Sequence, residues 1–216
     1  MKSVGALNFR LVDLTPEQIA ERLGVVEPLT DSVRSLIDAV IRTEVDDDRL
    51  HAAREKIDAI VADLRAEQKP GSFGLEFTSD LHGLPWGNAA VGARNAIAPP
   101  MRIVHHEDKT ATCEVDLGAA YEGPSGLVHG GVSALLLDQL LGEVVSVNDK
   151  MPSFTGTLNV KYVAPTSLGP VRLHAEIVNR EGRKTFVRGH IATTDGTVTV
   201  TAEGIMVAPA NLPNLG

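Results

Sequence analysis

The stretch at residues 129–147, HGGVSALLLDQLLGEVVSV, decides the fold. From Gly131 onward it carries Val132, Ala134, Leu135, Leu136, Leu137, Leu140, Leu141, Val144 and Val145, with only Asp138 and Glu143 charged. A helix that is apolar on nearly all sides is buried on nearly all sides. It therefore needs a wrapper, and the flanking sequence offers one. Upstream, residues 101–106 and 110–117 have the two-residue period of strands and predict a hairpin turning through Glu107, Asp108 and Lys109. Downstream come four more strand-like runs, 155–163, 171–178, 184–193 and 197–207. In the second of these, Val171, Leu173, Ala175 and Ile177 alternate with Arg172, His174 and Glu176. A turn at residues 180–183 and the dipeptide Asp195-Gly196 join the last three as hairpins. Gly204, inside the final run, predicts a bulge. Short connections imply antiparallel pairing. The expected class is α+β: one curved antiparallel sheet wrapped around one long central helix.

Composition narrows the possible roles. The chain has 216 residues, 43% hydrophobic and 22% charged, with a formal net charge of −8. That length fits one domain plus an attachment. Five Phe, two Tyr and one Trp make the core aliphatic and leave no base-stacking platform. Twenty basic against 28 acidic residues argue against a nucleic-acid partner. A single cysteine rules out an internal disulfide and a multi-cysteine zinc site. The N-terminal MKSVGALNFRLVDL lacks the apolar core of a signal peptide, and no run reaches the ~18 uncharged apolar residues of a membrane span. The expectation is a cytoplasmic protein with no membrane span.

Residues 1–70 read as a helical extension. Thr15, Pro16 and Gln18 form an N-cap, a first-turn proline and a capping-box partner, and Gly24 is expected to stop that helix. Val33, Leu36, Ile37, Val40 and Ile41 then mark one helical face. The acids Asp46, Asp47 and Asp48 suit a fresh N-terminus, followed by a stripe of Leu50, Ala53, Ile57, Ile60, Val61 and Leu64. This extension is either a hairpin packed on its own chain, an oligomerisation arm, or a cover for the domain after it. Residues 71–100, broken by Gly71, Gly74, Gly83, Gly87, Gly92, Pro85, Pro99 and Pro100, form a connecting segment, a functional loop or a linker. Residues 101–216 hold the main domain.

Chemistry concentrates where YEGPSGLVHGG, residues 121–131, enters the central helix. Gly130 and Gly131 let a ligand approach the backbone at a helix N-terminus, where free amides favour developing negative charge. Alternatively, they only permit tight helix–sheet packing. Asp138 is a poor helix former among leucines, and a carboxylate kept there is a candidate general base or nucleophile. The alternatives are a solvent-facing gap or an inter-element hydrogen bond. Gly130 and Asp138 stand eight positions apart, about 12 Å along one helix. One reacting group cannot touch both, so a joint site requires two chains, a homodimer or a dimer of dimers.

The run HGGVSALLLDQLLG at 129–142 resembles the hotdog-fold acyl-CoA thioesterases of the PaaI type. YEGPSGLVHGG, TGTLNVKYVAP at 155–165 and EGRKTFV at 181–187 are similar to the Them-type branch, and the resemblance spans about residues 90–208. It implies a helix-in-sheet fold, sites between two subunits, an acyl-CoA substrate and no cofactor beyond the coenzyme A that substrate carries. Asp138 then matches the catalytic acid, Gly130 the glycine whose amide polarises the carbonyl, His129 the histidine that shapes the helix start, and Thr155 the hydroxyl that orients water. PaaI-type members often carry Asn six residues before the His, where this chain has Gly123. One carboxylate and one amide suffice for a thioester because a thiol, of pKa about 8.5, leaves readily.

Other constellations carry less. Ser125, His129 and Asp138 have the letters of a hydrolase triad, but GPSG is no G-x-S-x-G elbow. His105 and His106 point to opposite strand faces, and no metal site is expected. Cys113 reads as a small buried residue. Two further readings stay open: a hotdog-fold dehydratase or hydratase, for which His129 is badly placed, and a non-catalytic acyl-CoA sensor. Arg180, Arg183, Lys184 and Arg188 cluster at one turn, and Arg183 and Lys184, with Gly131, are the expected substrate contacts beyond the catalytic set.

Overall fold

The computed structural model describes residues 9–78, 83–150 and 152–210. Its centre is α3 (Gly130–Asp149) inside a six-stranded antiparallel sheet. The strands are β4 (Arg102–His105), β5 (Thr110–Leu117), β6 (Phe154–Tyr162), β7 (Gly169–Glu181), β8 (Lys184–Thr193) and β9 (Val198–Val207). Their spatial order is β4-β5-β7-β8-β9-β6, so β4 and β6 are the free edges. The expected helix and all six strands are present, with ends moved by a few residues.

The core is aliphatic, as the composition requires. Leu136, Leu137, Leu140, Leu141, Val144 and Val145 of α3 are at most 2% exposed, against Leu173, Ile191, Val200 and Met206 of the sheet. Each such side chain contributes about 1.5–3 kcal/mol by leaving water. Although α3 is long and apolar enough to cross a membrane by length and composition, here that apolarity faces the sheet. Burial is nevertheless one-sided, unlike the expectation of cover on nearly all sides. Val132, Leu135, Asp138, Gln139 and Gly142 are only half-buried, because the sheet leaves an open flank between its edges β4 and β6.

The last strand does bulge, but at Thr199 and not at Gly204; further bulges fall at Val178 of β7 and, at the site, on Gly156 of β6. Thr155 pairs with Met206 and Thr157 with Ile205, so β6 holds one residue more than β9 over that step. A Cβ on Gly156 would lie 2.9 Å from Val207 Cγ2 and 3.2 Å from Ile205 O, which explains the glycine. Gly204 is in regular register and admits Val187 and Met206 close to its Cα.

The first third differs most from expectation. One helix, α1 (Pro16–Arg42), runs through both Gly24 and Pro28. Its start is as expected: Thr15 and Gln18 form the capping box. Contacts on both sides of Pro28 override the local break: Val26 is buried, Thr30 Oγ1 donates to Ala93 O at 2.8 Å, and Arg34 Nε donates to Ala98 O at 3.1 Å. A glycine costs only about 1 kcal/mol in a helix, which such contacts offset. α2 (Asp47–Arg65) follows, capped by Asp46. A small second sheet, not expected from the sequence, joins β1 (Phe9–Val12) in parallel to β2 (Leu75–Thr78), which pairs antiparallel with β3 (Gly83–Leu84). Beneath it Glu76, 5% exposed, accepts from Trp86 Nε1 at 3.0 Å and from Lys69 Nζ at 3.3 Å. Residues 71–78 and 83–100 are therefore built structure, with Leu84, Trp86, Ala90 and Ala98 buried.

Candidate active site

Asp138 lies on the open flank of α3, half-buried, and Thr155 reaches it from the free edge β6. The Thr155 hydroxyl donates to Asp138 Oδ1 at 2.8 Å. Strand geometry alone forbids this arrangement. Leu158 and Val160 of β6 pack against the core and Tyr162 reaches Gly130, so the inward face carries even-numbered residues. Thr155 is odd and faces inward only because the Gly156 bulge changes the phase.

The N-terminus of α3 is shaped by three contacts. His129 is the N-cap, and its Nδ1 accepts the Gly131 amide at 3.0 Å, which leaves the proton of a neutral ring on Nε2. The His129 carbonyl accepts from the Val132 and Ser133 amides. The Gly130 amide has no hydrogen-bond partner among the described residues. Of the two glycines, then, Gly130 holds the free donor and Gly131 is committed to His129. The sequence reading missed Tyr162, whose hydroxyl donates to the Gly130 carbonyl at 2.8 Å and whose ring would lie 3.3 Å from a Cβ there. Its signal was available in TGTLNVKYVAP, at the far end of the strand that begins with Thr155.

Gly123 is packed against the same turn. A Cβ at that position would sit 2.8 Å from His129 Cα, and the Gly123 amide donates to Leu127 O at 2.9 Å. No asparagine side chain fits here without moving the helix start.

Other expected residues are separated or paired. Ser125 is exposed in the loop, while His129 bonds Gly131 and Asp138 bonds Thr155, so no triad assembles. His105 Nε2 lies 3.6 Å from Glu143 Oε1, His106 Nε2 lies 2.8 Å from Thr112 Oγ1, and no group of three metal-ligating side chains occurs among the described residues. In the basic cluster, Arg180 pairs with Asp149, Arg188 with Glu176, and Arg183 Nη1 donates to Ala208 O at 3.0 Å. Lys184 has no ion-pair partner among the described residues. It stands in register with Val207, which pairs with Phe154, so Lys184 is two strands, about 10 Å, from the strand end that carries Thr155.

An antiparallel sheet curled around one helix, with a carboxylate on the open flank and a free amide at the helix start, defines the hotdog class. A family model described as the thioesterase superfamily matches residues 125–200. The crystal structure of a thioesterase superfamily protein is 34% identical, with TM-score 0.76, covering 85% of this chain and 95% of that one. The chain belongs to the thioesterase superfamily. A phenylacetic acid degradation-related protein from Ralstonia eutropha is 24% identical over 51% of this chain and 84% of its own, with TM-score 0.46. A Bacillus halodurans protein solved with CoA is 28% identical over 45% of this chain and 70% of its own, with TM-score 0.43.

Proposed function

We propose that this protein hydrolyses an acyl-CoA thioester to a carboxylic acid and free CoA. The observation that carries the reading is the bond from Thr155 to Asp138 on the open flank, in a chain whose Gly130 amide is left unpaired. Asp138 takes a proton from a water held beside Thr155, and the water oxygen attacks the carbonyl carbon. The carbonyl oxygen gains charge and is stabilised by the Gly130 amide at the positive end of α3. The carbon–sulfur bond then breaks and CoA leaves as thiolate, which is protonated by solvent. As proposed, the chemistry uses no metal, and CoA enters as part of the substrate.

Gly130 and Asp138 stand eight positions apart on one helix, so the carbonyl meets a Gly130 from a second copy. The free edge β6 supports this. Thr155, bonded to Asp138, lies at one end of the strand, and Tyr162, bonded to Gly130, at the other. When two β6 edges pair antiparallel about a two-fold axis, the Thr155 end of each copy faces the Tyr162 end of the other. Each site then receives its acid from one chain and its amide from another. Arg183 and Lys184, at the end of the sheet near Thr155, contact the CoA phosphates.

The test is thiol release from a panel of acyl-CoAs, comparing wild type with Asp138→Asn. The expected loss on substitution is about 10²–10⁴-fold in kcat. Equal rates for the two proteins would remove Asp138 from the mechanism. Tight acyl-CoA binding without thiol release would make the protein a sensor, and loss of a 3-hydroxyacyl-CoA without free thiol would make it a dehydratase.

A further inference from the structure

The helix α1 carries two apolar stripes. One lies on the protein's own body through Val26 and Thr30, both buried, and the half-buried Leu23 and Ile37. The other, Val25, Leu29, Val33, Leu36 and Val40, remains open, with exposures of 37–73%. The next helix, α2, presents Leu50, Ile57, Ile60, Val61 and Leu64 along one side, buries no residue, and makes no extended contact with another element among the described residues. A lone helix of this length is marginal in water and is held by tertiary contact. The two open stripes match in length. At 1.5 Å per residue, 25–40 spans about 22 Å and 50–64 about 21 Å. The connection at 43–46 is short enough for a helical hairpin, yet α2 does not fold back on α1. The chain holds both halves of a helix pair and leaves each unmatched.

We infer that a second copy of this chain covers them: α2 of one protomer lies antiparallel on the 25–40 stripe of α1 in its partner, and the partner reciprocates. The same surfaces meet twice, so the contact closes under two-fold symmetry without new chemistry. Ser32 and Ala39 on that side of α1 are small and uncharged, which lets a second helix approach closely. Each stripe offers a face of about 22 Å by 10 Å, and four such faces bury roughly 900 Å², at the small end of protein–protein interfaces. An antiparallel pair also brings Val33 opposite Ile57.

The experiment uses the full chain with Val33→Cys and Ile57→Cys, whose single native cysteine, Cys113, is buried. It is oxidised at micromolar concentration and run on a non-reducing gel. A covalent dimer is expected, and adding Ile60→Lys, at an exposed position of α2, should cut its yield at least tenfold. Three results would overturn the inference. They are a disulfide closed within one chain, no disulfide at all, and a dimer yield that Ile60→Lys leaves unchanged. A circular-dichroism melt of each variant confirms that the sheet domain is folded, since neither helix stripe contributes to its core.

Discussion

The Thr155 hydroxyl and the Asp138 carboxylate meet at 2.8 Å across 17 residues of chain, one from the free edge strand and one from the central helix. A hydrogen bond to a charged group contributes about 1.5–3 kcal/mol. Thr155→Val keeps the shape and removes the donor, so kcat should fall roughly 10- to 100-fold with KM little changed. Steady-state thiol release checks it, and an unchanged kcat would exclude Thr155 from the chemical step.

The same contact depends on Gly156. Gly156→Ala places a Cβ 2.9 Å from Val207 Cγ2 and 3.2 Å from the Ile205 carbonyl. The strand must move to accept it, at a cost of about 1–3 kcal/mol. The expected result is a lower Tm together with a kcat loss close to that of Thr155→Val, because the bulge aims that side chain. A normal kcat in a destabilised protein would show that the bulge serves stability alone.

Gly123 offers a sharper contrast. The PaaI-type resemblance makes Asn the obvious replacement, as a second donor to the carbonyl. In this chain a Cβ there meets His129 Cα at 2.8 Å, and His129 caps the helix whose first amide is the proposed donor. Gly123→Asn should therefore lower both Tm and thiol release. A gain in activity would mean that the turn is free to shift and that the missing Asn was a loss of function.

Much of the fold was legible because hydrophobic periodicity reports burial directly. The leucine run of α3 and the alternation of Val171, Leu173 and Ala175 both lie where their patterns place them. Gly24 misled because a glycine is a weak local signal and Thr30 and Arg34 anchor the helix beyond it. Sequence patterns could not place the β6 bulge, which depends on what Val207 and Ile205 leave room for. The candidate site was legible as residue types, in Asp138, Gly130, His129 and Thr155. Which glycine amide stays free, and that Tyr162 holds the turn, followed only from the contacts of His129 and Gly130.

Cys113 should be chemically silent. It is 2% exposed in the core, and burial pushes its thiol up from the ordinary cysteine value, with the neighbouring Glu114 adding to the effect. At pH 8 the native protein should show no reaction with a disulfide reagent over minutes, and one thiol should appear on unfolding. Immediate reaction of one thiol in the native state would show that Cys113 is accessible to solvent and not sealed in the core.

The outer face of the sheet carries a response to mild acid. His174 and His190 face each other across β7 and β8 with ring centroids 5.4 Å apart, and His190 stands in register with Thr201 of β9. Burial, reinforced by the charge that His174 takes on when protonated, holds His190 below the ordinary histidine value of 6.5, while Glu176 opposes this only in part. The unfolded chain therefore binds a proton at His190 at a higher pH than the native chain does. Stability is full above the ordinary histidine value and is lost as pH falls through 6.5 toward the native value. Melting curves from pH 8 to 5.5 should show Tm declining across that window, and His190→Gln should flatten the decline while leaving Tm at pH 8 nearly unchanged. An equal decline in both proteins would assign the acid sensitivity to other groups and leave the histidine stack a packing contact only.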